Sequence, residues 1–138
     1  MVVQTDSDWA GCQTRRSTSG LAVFLGAHLI AFACRTQKGI ALSTGEAELT
    51  AQVSGVSEAI GIVNLLMEWG TSLGIRSLCD SSAARGVLNR TGWGRIRHLE
   101  LKQLWVQDLV KRGLVHMAWF PRSKNAADIL THPTGVAE

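Results

Sequence analysis

The chain of 138 residues has few cysteines, no long apolar run and no low-complexity tract or internal repeat. Its three cysteines, Cys12, Cys34 and Cys79, are odd in number and lack C-x-x-C spacing, which argues against a disulfide framework and a zinc site. They are predicted to be small, buried or half-buried residues. No apolar run approaches the roughly 20 residues of a membrane span, and no signal sequence opens the chain, so we expect a soluble intracellular protein with no membrane partner.

The composition is sufficient for one hydrophobic core, and its charge is unevenly distributed. Apolar residues make up 46% of the chain, so residues 1–138 are expected to form a single domain. The net charge is +3, but residues 1–75 hold four Lys and Arg against six Asp and Glu, whereas residues 76–138 hold ten against five. This basic second half is typical of a polyanion-binding protein or of solvated helix faces, and composition alone leaves both open.

The order of apolar patterns predicts an α/β protein with a short first strand and then an antiparallel hairpin. Two apolar runs, Leu21–Leu25 and Leu29–Cys34, predict the hairpin. From Ser43 to Trp69 apolar residues recur in steps of three and four, which predicts one long amphipathic helix. The later predicted elements are a strand over Ile75–Cys79, helices over Ser81–Asn89 and His98–Lys111, a strand over Val115–Phe120 and a last helix over Asn125–Thr131.

Four acidic residues stand at informative places in this order of elements. Asp6 follows a short β-compatible stretch, Glu48 lies early in the long helix, Asp80 ends a buried strand, and Asp128 lies in the first turn of the last helix. A carboxylate beside apolar segments is costly unless it is paired or binds a cation. Asp80 and Asp128 could instead stabilise helix N-termini. The four acids together favour a Mg²⁺ site, because hard divalent cations take oxygen ligands.

Two of the four acids have a nearby competitor. Asp8 shares a strand face with Asp6, which we prefer because it directly follows the apolar stretch. Glu46 competes with Glu48 for the position inside the helix. However, the sequence Ser-Thr-Gly-Glu fits a capping box in which Glu46 bonds the backbone N–H of Ser43. That structural role leaves Glu48 free to face the other acids.

Five phrases of the sequence, in this order, resemble the ribonuclease H domain of copia-type retrotransposon polyproteins. They are Thr-Asp-Ser-Asp-Trp-Ala-Gly with Thr-Arg-Arg-Ser-Thr-Ser-Gly, Gln-Lys-Gly-Ile-Ala-Leu-Ser-Thr-Gly-Glu-Ala-Glu, Cys-Asp-Ser-Ser-Ala-Ala, Arg-His-Leu-Glu, and Ala-Asp-Ile-Leu-Thr-His-Pro. The resemblance extends from Val3 to Pro133. It implies a ribonuclease H-like fold with a central mixed five-stranded sheet, three antiparallel strands followed by two parallel ones, flanked by helices. It also selects Asp6, Glu48, Asp80 and Asp128 as the catalytic, metal-binding acids.

The resemblance implies an endonuclease that hydrolyses the RNA strand of RNA/DNA hybrids and leaves 5′-phosphate and 3′-hydroxyl ends. Two Mg²⁺ ions, with Mn²⁺ as a substitute, would be held by the four acids. The expected partners are the hybrid and the reverse transcriptase domain of the same polyprotein, and a retroelement particle is the expected location. Two alternatives stay open: a degraded copy that binds nucleic acid or a polymerase domain without cutting, and another nuclease or strand-transfer enzyme on the same fold.

Further residues match positions that this family places along its substrate. The candidates for sensing the 2′-hydroxyl of RNA are Ser43, Thr44, Gly45 and Ser82. Helix capping explains the same residues equally well, and only a 2′-hydroxyl distinguishes RNA from DNA at a given position. The candidates for holding DNA phosphates are Arg95, Arg97 and Lys102.

The sequence departs from the broader family in two places. The segment from Gly92 to Arg97 is too short for the basic helical extension of many cellular members. Many members also carry a mobile histidine in a glycine-rich loop before the last acid, whereas residues 122–125 of this chain contain no histidine. Arg122 and Lys124 are the candidates to assist product release in place of that histidine, with plain solvation as the alternative. Three other histidines show no metal-ligand spacing: His28, His116 and His132.

The tryptophans have different expected roles. Trp69, Trp105 and Trp119 lie within apolar patterns and are predicted core residues. Trp93 stands between two glycines and is the candidate for stacking on nucleic acid. His98, in the phrase Arg-His-Leu-Glu, is predicted to make a structural hydrogen bond.

Overall fold

The computed structural model describes residues 1–90 and 101–132. Within these residues the elements are β1 (Val2–Asp8), β2 (Thr18–Leu25), β3 (His28–Thr36), α1 (Thr44–Glu68), β4 (Ile75–Cys79), α2 (Ser82–Leu88), α3 (Leu101–Lys111), β5 (Val115–Trp119) and α4 (Asp128–Thr131). A single 3₁₀ turn, Arg122–Lys124, precedes α4. The predicted order of strands and helices is confirmed, although the last helix begins at Asp128 and not at Asn125.

The five strands form one mixed sheet in the order β3-β2-β1-β4-β5. The pairs β1–β2 and β2–β3 are antiparallel, whereas β4 runs parallel to both β1 and β5. A parallel pair needs a long crossover connection, and α2 and α3 lie in the connection between β4 and β5. The predicted sheet of three antiparallel strands followed by two parallel ones is confirmed. Its topology places the C-terminal ends of β1 and β4 side by side.

Helix α1 packs closely on one face of this sheet. A Cβ added at Gly55 would lie 2.5 Å from Cγ2 of Thr5 and 2.9 Å from Cγ1 of Val3, so only glycine allows this approach. By length and composition α1 could also cross a membrane, but its buried residues pack within the fold as those of a core helix do. These buried residues are Ala47, Leu49, Ala51, Gln52, Val53, Gly55, Val56, Ala59 and Val63.

Two glycines of α1 provide a matched test of this packing. Gly55→Ala is expected to lower the free energy of unfolding by about 1–3 kcal/mol, because the added methyl group overpacks the contact with β1. An added Cβ at Gly61 has nothing within 4 Å. Gly61→Ala is therefore expected to raise the free energy of unfolding by up to about 1 kcal/mol through helix propensity. Urea denaturation measures both changes, and equal stabilities of the two variants would contradict the packing.

Helix α4 and the turn before it lie on the opposite face of the sheet, since alternate residues of a strand point to opposite faces. Asn125 Nδ2 donates a hydrogen bond to the carbonyl oxygen of Thr5 at 2.8 Å. The N–H of Ala126 donates to Oε1 of Gln4 at 2.7 Å. On β2, a Cβ at Gly20 would lie 2.7 Å from a backbone oxygen of the same turn. These contacts fix α4 against β1 and β2.

The core predictions for the tryptophans are wrong. Trp69 is 73% exposed, Trp119 is 59% exposed and Trp105 is 38% exposed. Trp69 is the C-cap of α1, and Trp119 ends the edge strand β5, so apolar neighbours in sequence do not place either residue inside the fold. Trp93 and His98 lie outside the described residues.

The cysteine predictions hold for two of the three residues. Cys79 is buried and Cys12 is half-buried, whereas Cys34 is exposed because β3 is the other edge strand. The thiol of Cys34 donates to the carbonyl oxygen of Leu130 at 2.9 Å. Burial raises the pKa of the Cys79 thiol to about 12, so this thiol stays protonated at neutral pH.

Candidate metal centre

Four acidic side chains meet near the C-terminal ends of β1 and β4. Asp6 lies in β1, Glu48 lies in the second turn of α1, Asp80 directly follows β4, and Asp128 begins α4. One carboxylate oxygen from each of Asp6, Glu48 and Asp80 lies within 4.8 Å of the others. Asp6 also forms a second group of this kind with Asp128 and His132. The structure thus brings the four predicted acids together around Asp6.

Asp6 is the shared member of both groups and is only 2% exposed. Burial is the largest influence on its carboxyl and raises its pKa above the ordinary value, with a further rise from the charge of Asp128. A hydrogen bond donated by the hydroxyl of Thr131 acts in the opposite direction, as do the nearby side chains of Arg122 and His132. The charge on Asp6 therefore depends on donors and cations around it.

Glu48 has one carboxylate oxygen satisfied by the protein and one that is not. Its Oε1 accepts hydrogen bonds from the backbone N–H of Ser7 at 3.3 Å and from the hydroxyl of Ser7 at 2.9 Å. Its Oε2 is buried and has no hydrogen-bond partner. Burial raises the pKa of Glu48 to about 7, helped by the charges of Asp6 and Asp80 and opposed by the bonds from Ser7. A divalent cation would satisfy this oxygen, so the residues present fit a metal ion.

The other two acids have different local roles. Asp80 does not cap α2, because the hydroxyl of Ser81 accepts from the N–H of Ala84 at 3.1 Å and is itself the cap. Asp128 accepts a hydrogen bond from Nε of Arg122 at 2.7 Å, in addition to its favourable place at the start of α4. The capping alternative for Asp80 is therefore wrong.

The two competing acids, Asp8 and Glu46, make local contacts away from the group of four acids. Asp8 packs over the following turn, where a Cβ on Gly11 would lie 1.6 Å from Oδ2 of Asp8. The N–H of Glu46 donates to the hydroxyl of the N-cap Ser43 at 3.2 Å, as a capping box requires. The other half of the predicted box is wrong, because Oε2 of Glu46 accepts from the N–H of Leu42 at 2.8 Å and not from Ser43.

His132 is the main residue of the site that sequence reasoning missed. Its Nδ1 lies 3.6 Å from Oδ2 of Asp6 and 3.4 Å from Oδ1 of Asp128, although no metal-ligand spacing was recognised at this residue in the sequence. The spacing of four residues from Asp128, about one helical turn, is the signal that was available. Thr131 and Ser7, which bond two of the acids, carried no comparable signal because their partners are far away in the chain.

Arg122 lies against the acids and is not simply solvated. Its Nε bonds Asp128, and its Nη2 lies 2.7 Å from Nε2 of His132. The hydrogen bond to Asp128 raises the pKa of the Arg122 guanidinium above its usual value, so the side chain is a permanent cation beside this group. Lys124 lies in the 3₁₀ turn and is exposed.

The described substrate candidates flank the group of Asp6, Glu48 and Asp80. A Cβ at Gly45 would lie 3.2 Å from Cβ of Ala83, so the N-terminal ends of α1 and α2 are adjacent. The exposed candidates at these ends are Ser43, Thr44 and Ser82. Arg95 and Arg97 lie outside the described residues, as does the side chain of Lys102 in α3.

Sequence comparison places the chain among retrotransposon polyproteins. No protein-family model matches the chain. Over 133 residues it is 32% identical to the retrovirus-related Pol polyprotein from transposon RE2 of Arabidopsis thaliana, and this match covers 94% of the chain and 9% of that polyprotein. The chain thus spans less than a tenth of the length of this relative.

Comparison with solved structures places the fold. LC11-RNase H1 in complex with an RNA/DNA hybrid matches with a TM-score of 0.66 and 16% identity, over 94% of this chain and 91% of that one. The prototype foamy virus protease-reverse transcriptase matches with a TM-score of 0.55 and 13% identity, over 94% of this chain and 20% of that one. By sequence and fold together, the chain belongs to the ribonuclease H-like domains of copia-type retrotransposon Pol polyproteins.

Proposed function

We propose that this domain hydrolyses the RNA strand of RNA/DNA hybrids with two divalent cations, Mg²⁺ or Mn²⁺, and leaves 5′-phosphate and 3′-hydroxyl ends. The observation that carries the proposal is the pair of ligand groups that share Asp6, one with Glu48 and Asp80 and one with Asp128 and His132. The likeness to an RNase H1 that was solved with an RNA/DNA hybrid supports the choice of substrate.

In this proposal the protein holds and orients the acids. Asp6, Glu48 and Asp80 would hold one cation, and Asp6 with Asp128 would hold the other. Bound cations would supply water activation and neutralisation of charge on the phosphate. Hydrogen bonds from Ser7 and Thr131 already fix the carboxylates of Glu48 and Asp6, which reduces the reorganisation that metal binding requires.

Electrostatic repulsion supports cation binding at this site. Carboxylates gathered in one place disfavour each other's charged forms, and here the charge of Asp6 contributes to the raised pKa of Glu48. A cation that binds the folded protein and not the unfolded chain stabilises the fold. The metal-free domain is therefore expected to be less stable than the loaded one.

The substrate would be read beside the acids. We assign contacts with the RNA strand to Ser43, Thr44, Gly45 and Ser82. This assignment is supported by the adjacent N-terminal ends of α1 and α2, from which Glu48 and Asp80 are only a few residues away. We assign DNA phosphate contacts to the basic residues Arg95, Arg97 and Lys102, because phosphate contacts position the duplex without reading its sequence.

The expected protein partner is the reverse transcriptase domain of the same polyprotein. Two comparisons support it: the relative is a Pol polyprotein of which this chain covers 9%, and a protease-reverse transcriptase contains the same fold over 20% of its length. The two activities would then act in turn on the same hybrid.

A cleavage assay with defined substrates tests the proposed function. The purified chain is incubated with an RNA/DNA hybrid labelled on the RNA strand, in Mg²⁺, in Mn²⁺ or in EDTA. We expect metal-dependent cleavage of the RNA with 5′-phosphate and 3′-hydroxyl ends, and no cleavage of duplex DNA. A chain that binds the hybrid but cuts it with neither metal would contradict the proposal and identify a degraded copy.

A further inference from the structure

We propose that His132 donates an imidazole nitrogen to the cation held by Asp6 and Asp128, and that Arg122 occupies this position when no metal is bound. The inference rests on the proposed metal centre and adds two residues to it. The two cation positions would then differ in chemistry, one with oxygen donors from the protein and one with oxygen and nitrogen donors.

The spacing of donor atoms in the second group suits a shared cation. Nδ1 of His132 lies 3.4 Å from Oδ1 of Asp128 and 3.6 Å from Oδ2 of Asp6. In an octahedral site with bonds of about 2.1 Å, adjacent donor atoms lie about 3 Å apart. A small adjustment of the side-chain torsions of His132, whose side chain is 40% exposed, would bring Nδ1 to that spacing from both carboxylate oxygens.

Arg122 now makes the contacts that a cation would replace. Its Nε donates a hydrogen bond to Oδ1 of Asp128 at 2.7 Å. Its Nη2 lies 2.7 Å from Nε2 and 3.4 Å from Nδ1 of His132. Because arginine only donates hydrogen bonds, the short contact requires an unprotonated Nε2. The proton of a neutral ring is then on Nδ1, which faces Asp6, Asp128 and the hydroxyl of Thr131 at 2.9 Å.

Metal binding would change both the position of the proton on the His132 ring and the contact between His132 and Arg122. Coordination by Nδ1 requires that nitrogen to lose its proton, and the neutral ring then carries its proton on Nε2. A proton on Nε2 cannot face a guanidinium N–H, so Arg122 would have to leave His132. A bound dication would supply positive charge beside His132 in place of the guanidinium of Arg122.

The imidazole donor should also affect which metal ion binds at the second position. Mg²⁺ prefers oxygen ligands, whereas first-row transition ions accept imidazole readily. The position with His132 is therefore expected to prefer Mn²⁺ over Mg²⁺ more strongly than the position with Glu48 and Asp80.

Electron spin echo spectroscopy of bound Mn²⁺ tests the nitrogen donor without any activity measurement. The Glu48→Gln variant removes a ligand from the oxygen-only position and so directs one Mn²⁺ to the group of Asp6, Asp128 and His132. We expect a ¹⁴N coupling from a directly bound imidazole. Adding His132→Gln should abolish the coupling and weaken Mn²⁺ binding on the order of tenfold or more. Adding His28→Gln, an exposed residue of the β2–β3 hairpin, should change neither.

Other results of this experiment would overturn either the assignment of His132 or the whole metal centre. Bound Mn²⁺ without ¹⁴N coupling, or coupling that persists in His132→Gln, overturns the assignment of His132 and leaves the proposed function standing. Loss of Mn²⁺ binding in Glu48→Gln alone also overturns it, because the second position would not hold an ion by itself. A wild-type protein that binds no Mn²⁺ at all overturns the metal centre and the proposed function together.

Discussion

Asp6→Asn is expected to lower the rate of hybrid cleavage by about 10³-fold or more. Asp6 is the only acid that belongs to both ligand groups, so the amide weakens both cation positions at once. A loss of several kcal/mol of transition-state stabilisation corresponds to at least this factor. Asparagine keeps the size of the side chain and can still accept the hydrogen bond from Thr131, so the fold should remain intact.

Asp8→Asn is the matched control for this substitution. Asp8 lies two residues further along β1, packs over Gly11 and belongs to neither ligand group. We expect the Asp8→Asn variant to cleave the hybrid at a rate within a few-fold of the wild type. Circular dichroism and urea denaturation would check the fold of both variants. Equal losses in the two variants, or substantial cleavage by Asp6→Asn, would show that the chemistry lies elsewhere.

Glu48→Gln is expected to raise the stability of the metal-free protein above neutral pH while it lowers hybrid cleavage. Burial, helped by the charges of Asp6 and Asp80, raises the pKa of Glu48 in the folded protein from its ordinary value of 4.5 to about 7. Between these pH values the folded state keeps a proton that the unfolded chain has lost. The free energy of unfolding therefore falls as the pH rises from about 4.5 to about 7, and the raised pKa of Asp6 acts in the same direction.

The glutamine variant lacks this loss of stability. Its side-chain oxygen can still accept the two bonds from Ser7, and no charge is buried. At pH 8 in EDTA it is expected to exceed the wild type by up to about 3 kcal/mol in free energy of unfolding, and the difference should vanish near pH 4.5. Urea denaturation at the two pH values measures both differences.

Glu58→Gln provides the control on the same helix. Among the residues that the structure describes, Glu58 makes an exposed ion pair with Arg35 at 3.5 Å, which is worth little in water. The free energy of unfolding of Glu58→Gln should stay within about 1 kcal/mol of the wild-type value at both pH values. A Glu48→Gln variant that behaves like Glu58→Gln would mean that the fold does not raise the pKa of Glu48.

Much of the fold was predictable because it is encoded locally. Apolar residues spaced three and four apart predicted α1, two short apolar runs predicted the hairpin of β2 and β3, and the short apolar stretch Ile75–Cys79 predicted β4. Such patterns determine which backbone geometry buries the apolar side chains. The order of these elements, together with the family resemblance, predicted the arrangement of the sheet.

Predictions of exposure failed where position in the sheet decides it. Trp119 and Cys34 lie on β5 and β3, the two edge strands, and an edge is a property of the assembled sheet. Trp69 follows the pattern of α1 but lies at its end, where the sheet no longer covers it. Local periodicity reports which side of an element is apolar, and it does not report what lies on that side.

The amino-acid order alone determined the kinds of element, their succession and the presence of Asp6, Glu48, Asp80 and Asp128 at their ends. Only the tertiary structure decided which side chains surround these acids: Ser7, Thr131, Arg122 and His132. The physical reason is the separation along the chain between the residues that interact. Helix and strand patterns arise between residues a few positions apart, whereas Asp6 meets Thr131 across 125 positions, and no periodic signal spans that separation.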